Sequence, residues 1–218
     1  MRSFFSILFT SALFVTHSQS LQSGILPQLV FSASFHEKWD YTLKLESMQS
    51  LYLEGASRYD YVRTDIQNFL TYRLTPFSKI AGGYQYRFLD SGENSQRFIQ
   101  QYAWVRRRRG FRLAHRLRAD QTFTPSRVST YRIRYRLSSE IPLNGATIDT
   151  REFYLVLSDE LLASLESQRF DLENRIGIFL GNNLTNTRKV QVGLDLRIDR
   201  PDRYRGQFWW VLAYYSRF

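Results

Sequence analysis

The sequence predicts an all-β fold: an antiparallel, up-and-down transmembrane β-barrel of about ten to twelve strands. Three observations predict it. From Leu29 onward hydropathy alternates with period two, and no helical period is sustained; successive side chains of a strand point to opposite faces. The polar faces of these strands carry charges of both signs, while their other faces are apolar. The last stretch, Gly206 to Phe218, reads GQFWWVLAYYSRF and places Phe208, Trp210, Leu212, Tyr214, Ser216 and Phe218 on one face.

Taken in order, Leu29, Phe31, Ala33 and Phe35 alternate with polar or small neighbours as far as His36. Trp39, Tyr41, Leu43 and Leu45 then oppose Asp40, Thr42, Lys44 and Glu46. The stretch from Tyr59 to Leu74 sets Ile66, Leu70 and Tyr72 against Arg63, Asp65, Gln67 and Arg73, and Thr75-Pro76 closes it with a turn. Tyr84, Tyr86 and Phe88 oppose Gln85 and Arg87, before a looser Asp90 to Asn94 connection. Gln96 to Val105 is a strand with apolar residues on both sides, so its faces stay unassigned. After the basic turn Arg106 to Gly110, Phe111, Leu113 and Leu117 oppose Arg112, Arg116, Arg118 and Asp120. Tyr131, Ile133, Tyr135 and Leu137 oppose Arg132, Arg134, Arg136 and Ser138. Phe153, Leu155 and Leu157 oppose Glu152, Ser158 and Glu160; Leu172, Ile176 and Ile178 oppose Asp171, Glu173 and Arg175. Val190, Val192, Leu194 and Leu196 oppose Gln191, Asp195 and Arg197.

Connections read as tight ones (Leu184 to Thr187) alternating with longer ones (Ala163 to Gln168, Asp199 to Arg205), which predicts short turns on one rim and loops on the other. About eleven strands can be counted, whereas bacterial barrels have an even number. Ten results if Leu29 to His36 is only a partial stave, and twelve if a strand is hidden in Ser50 to Arg58. Ten is the preferred reading.

Residues 1–20 have the form of a secretory signal peptide: Arg2 supplies the positive start, Phe4 to Val15 is a short apolar run, and Ser18 to Ser20 offers small residues for cleavage. Residues 21–218 then form one domain. No stretch is long and apolar enough for a membrane helix, and without Cys there are no disulfides, thiol chemistry or lipoprotein anchor. Aromatics make up 16% of the chain, a supply suited to interfacial girdles. The formal charge of +10 raises the question of nucleic acid. An exported protein meets little of it, so no nucleic-acid partner is expected.

The polar faces account for part of that charge. They hold twelve bases (Lys44, Arg63, Arg73, Arg87, Arg112, Arg116, Arg118, Arg132, Arg134, Arg136, Arg175, Arg197) and ten acids (Asp40, Glu46, Asp65, Asp120, Glu140, Glu152, Glu160, Asp171, Glu173, Asp195). Near balance predicts a salt-bridged, largely filled lumen rather than a wide water pore. Arg200, Arg203 and Arg205 mark a loop suited to outer-leaflet phosphates.

The terminal strand resembles the last strand of bacterial outer-membrane barrels, in which Trp210, Leu212, Tyr214 and Phe218 would serve as the signal for the barrel-assembly machinery. Over most of the mature chain the pattern resembles the bacterial domain-of-unknown-function family 2490, uncharacterised proteins predicted to be outer-membrane β-barrels. The matching pieces are Gln100-Gln101, Arg116-Leu117-Arg118 with Asp120, Tyr131 to Arg136, Glu160, and Asn174-Arg175. The resemblance implies a bacterial cell outer-membrane location, with lipid and lipopolysaccharide as surroundings, and no established activity.

Three roles fit: a structural or narrow-pore barrel, a periplasmic or membrane-embedded barrel binding a small apolar or lipid ligand, and an outer-membrane lipid hydrolase. The hydrolase lacks a G-x-S-x-G elbow and has only His36 and His115 in the mature chain as bases. No enzyme activity, cofactor or metal is expected. The lumen-lining candidates are Arg116, Arg118, Arg134, Glu160, Asn174 and Arg175.

Overall fold

The computed structural model describes residues 20–53, 55–108, 110–125, 127–199 and 205–218. The expected signal segment, up to residue 19, and the arginines Arg200 and Arg203 of the expected basic loop lie outside them. Among the described residues every regular element is a strand: β1 (Ser20–His36), β2 (Trp39–Leu53), β3 (Ala56–Thr75), β4 (Ser78–Leu89), β5 (Ser95–Arg108), β6 (Phe111–Phe123), β7 (Thr130–Pro142), β8 (Phe153–Glu166), β9 (Arg169–Asn183), β10 (Arg188–Asp199) and β11 (Arg205–Arg217). Each pairs with its neighbour in sequence, and β11 pairs with β1, so the sheet closes into a barrel. Closure leaves no edge whose N–H and C=O groups lack partners. The shortest strand has twelve residues, against the ~9–11 that a tilted strand needs to cross a bilayer.

Among the described residues the strand number is eleven, not the preferred ten. β1 is a full stave of seventeen residues. It begins at Ser20, well before the alternation becomes legible at Leu29, and pairs with β2 on one side and β11 on the other. No strand hides in 50–58, because β2 runs on to Leu53 and β3 starts at Ala56, across a turn in which Gly55 takes φ +93°. An odd count has a topological consequence. Strands that alternate up and down leave the first and eleventh running the same way. Their pairing, Ser20 with Arg205 through Ser32 with Arg217, is therefore parallel, while every other pair is antiparallel.

Connection lengths do not sort by rim. The rim at the end of β11 has tight turns at 37–38 and 76–77 but also the ten-residue connection 143–152. The opposite rim mixes the two-residue turn 167–168 with the longer connection 90–94. The expected loop at 163–168 is mostly strand, because Ser167 takes φ 56° and turns the chain within two residues. The 143–152 connection folds back over the mouth. Its ends are tied to the wall through Leu143 N–H to the Phe153 carbonyl (3.2 Å) and the Asn183 N–H to the Glu152 carbonyl (3.2 Å). Its Ile148 packs onto the inner apolar cluster.

Inside and outside follow strand parity. On β11, Trp209, Val211 and Ala213 are buried in the lumen, whereas Trp210 and Leu212 are more than half exposed. Every strand shows such an outward apolar side chain: Leu29, Tyr41, Leu70, Ile80, Phe98, Leu117, Ile133, Leu161, Ile178, Val192 and Leu212. Outward aromatics gather toward both rims. Trp39 with Tyr72 (4.9 Å between centroids) and Tyr102 with Trp104 (5.3 Å) lie toward the mouth; Tyr86 with Phe88 (4.8 Å) and Phe208 with Trp210 (6.2 Å) lie toward the other.

The inner face is not uniformly polar. Leu26, Met48, Tyr154, Val156, Phe179, Trp209, Val211 and Ala213 form one apolar cluster along β8, β9, β11, β1 and β2. Glycines let these rings lie against the wall. A Cβ on Gly193 would fall 2.1 Å from the Ile178 carbonyl oxygen and 2.6 Å from the Phe179 Cα, both backbone atoms. Gly193→Ala should therefore cost about 1–3 kcal/mol, read as a lower urea midpoint in detergent micelles. Gly82→Ala, where a Cβ meets open space, should shift the midpoint far less.

Candidate functional site

The candidate site is the lumen. It contains two adjoining cavities of about 670 and 750 Å³ that share Val30, Thr42, Thr71, Lys79 and Tyr215. The second forms a vestibule under the 143–152 connection and is lined by Ala146, Thr147 and Ile148. Strand alternation builds the first: residues 116, 118 and 120 of β6, 132, 134 and 136 of β7, and 158, 160 and 162 of β8 all face inward.

Two carboxylates organise one wall. Asp120, whose side chain has no exposed surface, lies 3.0 Å from Arg134 Nε, 3.4 Å from Arg97 Nε and 3.6 Å from Arg132 Nη1. Glu160 accepts from Arg116 Nη2 at 3.0 Å, with Arg134 at 3.8 Å and Arg136 at 4.0 Å. Arg134 thus bridges both acids. Its approach to Asp120 lacks hydrogen-bond alignment, so the attraction is Coulombic more than directional. A second chain of pairs crosses β2 to β4. Arg63 lies 3.6 Å from Glu46 and 3.3 Å from Asp65, and Asp65 takes two bonds from Arg87 at 2.6 and 2.7 Å. That last pair is the fork geometry in which Arg binds carboxylate best. Arg175 with Glu173, and Arg197 with Asp195 (3.0 Å), complete the ring.

Of the sequence-derived candidates, Arg116, Arg118, Arg134, Glu160 and Arg175 line the first cavity. Asn174 does not. It lies one residue out of phase with Glu173 and Arg175, on the outer wall, where it donates to Asp159 at 2.7 Å. Its identity inside a polar motif suggested the lumen, but parity places it on the other face. Trp210, Leu212, Tyr214 and Phe218 project from the outer side of the terminal strand, with Phe218 N–H bonded to the Ser32 carbonyl (2.8 Å).

The charge balance also differs from expectation. Among the described residues, twelve bases and six carboxylates line the first cavity, with Asp120 buried behind it. For these acids the difference lies in height along the axis, which the alternation does not encode. Asp40 and Glu140 line the vestibule instead. Glu152 belongs to the mouth connection, and Asp171 pairs with Arg169 near the opposite rim (3.4 Å). Two bases of the first cavity were missed, Lys79 and Arg97. Arg97 falls in the stretch whose faces had no assignment: Ile99 turns inward beside it while Phe98 turns out, so apolar residues occupy both sides.

Neither of the described histidines lies in the first cavity. His115 is on the outer wall, stacked on Trp104 (4.7 Å, 4° between planes) with Nδ1 2.8 Å from the Tyr135 hydroxyl. His36 ends β1 at the mouth. Among the described residues no three His, Cys, Asp or Glu side chains gather in a way that could hold a metal ion.

A closed, single-layered β-barrel with buried salt bridges in its lumen is the class that this fold and site define. A family model described as a protein of unknown function (DUF2490) matches residues 24–201, and the chain belongs to that family. No curated protein and no solved structure matches it.

The two hubs make the ion pairs unequal in weight. Glu160→Gln strips three guanidiniums of a shared partner and should cost about 3 kcal/mol. Asp60→Asn, which removes the exposed Arg58 pair at 2.8 Å, should stay within ~1 kcal/mol. Urea unfolding of both variants in micelles compares them.

Proposed function

We propose that the chain is an integral barrel of the bacterial outer membrane, structural or narrow-pored, with a lumen largely filled by ion-paired side chains. The observation that carries this reading is the outer wall. Each of the eleven strands turns an exposed apolar side chain away from the lumen, from Leu29 on β1 to Leu212 on β11. Water is a poor solvent for so extensive an apolar surface, and soluble monomers rarely present one. Lipid tails are a good one, and the backbone of a closed barrel needs no bonds from them. The aromatic pairs toward both rims suit the two headgroup levels. The apolar run Phe4 to Val15 behind Arg2 is in keeping with export.

On this reading the partners are outer-membrane lipid and lipopolysaccharide along the wall. The barrel-assembly machinery joins them during insertion, meeting the outward Trp210, Leu212, Tyr214 and Phe218. The role is non-enzymatic. Cell fractionation followed by gel migration with and without boiling tests the location. The expected result is a detergent-requiring protein in the outer-membrane fraction whose mobility changes on heating. Recovery as a dissolved monomer from the periplasm, without detergent, would contradict it and favour a ligand carrier. In planar bilayers the filled lumen should give small or no conductance; a steady, large conductance would refute the filling.

A further inference from the structure

We propose that the β6–β7 wall of the lumen is a binding site for a soluble oxyanion, a solute bearing phosphate or carboxylate groups, with Arg118 as its principal contact. The inference deepens the narrow-pore reading and rests on it for a lumen that solutes can enter. Five guanidiniums, those of Arg97, Arg116, Arg132, Arg134 and Arg136, share only Asp120 and Glu160 among the described ion pairs, and a sixth, that of Arg118, stands among them. The register sharpens the excess. Arg116 stands directly opposite Arg136, and Arg118 directly opposite Arg134. Like charges in opposed cross-strand positions repel, so the wall holds positive charge that its own carboxylates do not neutralise.

Arg118 is where that excess is available. Among the described residues no carboxylate lies within ion-pair distance of it. Its Nη2 donates to the Gln101 side-chain oxygen at 2.8 Å, and its guanidinium carbon lies 5.3 Å from the Phe69 ring centroid. A neutral acceptor and an aromatic face hold the group in place without cancelling its charge. It borders the 670 Å³ cavity, which is large enough for a small organic or inorganic polyanion. Planar forks on facing strands suit the oxygens of a phosphate or carboxylate, and partial burial strengthens each contact.

The test is calorimetric titration of the folded barrel, in non-ionic micelles at constant chloride, with sodium pyrophosphate. Saturable one-site binding is expected, with citrate competing. Arg118→Gln should weaken it by at least about tenfold, Arg118→Lys by less, and Arg58→Gln, at the far rim, not at all. Heat-dependent gel migration checks that each variant is folded. The proposal is overturned by a wild-type titration without saturable heat, or by a folded Arg118→Gln that binds as tightly as wild type. If Arg118→Gln does not fold, the wild-type titration and Arg118→Lys still decide. Displacement of pyrophosphate by short-chain phosphatidylglycerol would overturn the assignment to a soluble ligand. A barrel that inserts but does not titrate removes only the anion site, while one that titrates but never partitions into membranes removes only the membrane reading.

Discussion

A wall one strand thick has no interior of its own. Each strand must satisfy two different surroundings one residue apart, and the rest of the structure depends on meeting that constraint. Ile133 and Arg134, Glu160 and Leu161, and Val211 and Leu212 are neighbours in sequence that face opposite ways. A slip of one residue in any pairing would turn arginines outward and leucines inward along a whole strand. The alternation that builds the fold therefore also fixes its register, and the charged hubs add to that. Asp120 and Glu160 reach arginines on other strands, up to two strands away, so a shifted strand would lose partners in an environment where unpaired charge is expensive.

Closure solves the second problem of a single layer, its edges. The parallel seam between β1 and β11 is a consequence of the odd strand count, and it is extensive: residues 20–32 pair continuously with 205–217. Beside the seam lie the apolar cluster around Trp209 and Leu26 and the close approach at Gly24, where a Cβ would meet the Gln49 carbonyl oxygen at 2.0 Å. The lumen is therefore divided. One sector near the seam packs like an ordinary hydrophobic core, and the sector across β6 and β7 is held by charge. The 143–152 connection joins the two problems at one mouth, since Ile148 extends the apolar sector while Ala146 and Thr147 roof the vestibule.

Much of this was legible because the signals are local. Period-two alternation needs only neighbouring residues, so the inward placement of Arg116, Arg134 and Glu160 and the outward placement of Trp210 and Leu212 could be read from the chain. What depends on distant contacts could not. The first half of β1, residues 20–28, contains Gly24 and Pro27 and lacks a clean alternation; only its pairing with β11 and β2 makes it a stave. The faces of β5 were obscured by Ile99, whose inward position across from Asp120 is set by pairing with β6. Asn174 was misplaced because a polar residue at the centre of a strand was read by type rather than phase. Its partner Asp159, on the same outer face, explains how the polarity is satisfied there. Axial height was invisible throughout, which is why the lumen charge was read as near balance.

The central claim is that lipid, not water or protein, surrounds the outer wall. Trp209 and Trp210 sample the two sides of that wall at nearly one height, the first 1% exposed and the second 54%. The most direct measurement places each in turn as the single tryptophan, the others replaced by Phe, in vesicles containing lipids brominated along the acyl chain. The account predicts strong quenching of Trp210 and little of Trp209. Equal quenching of the two, or quenching of Trp210 by aqueous iodide but not by brominated lipid, would contradict it.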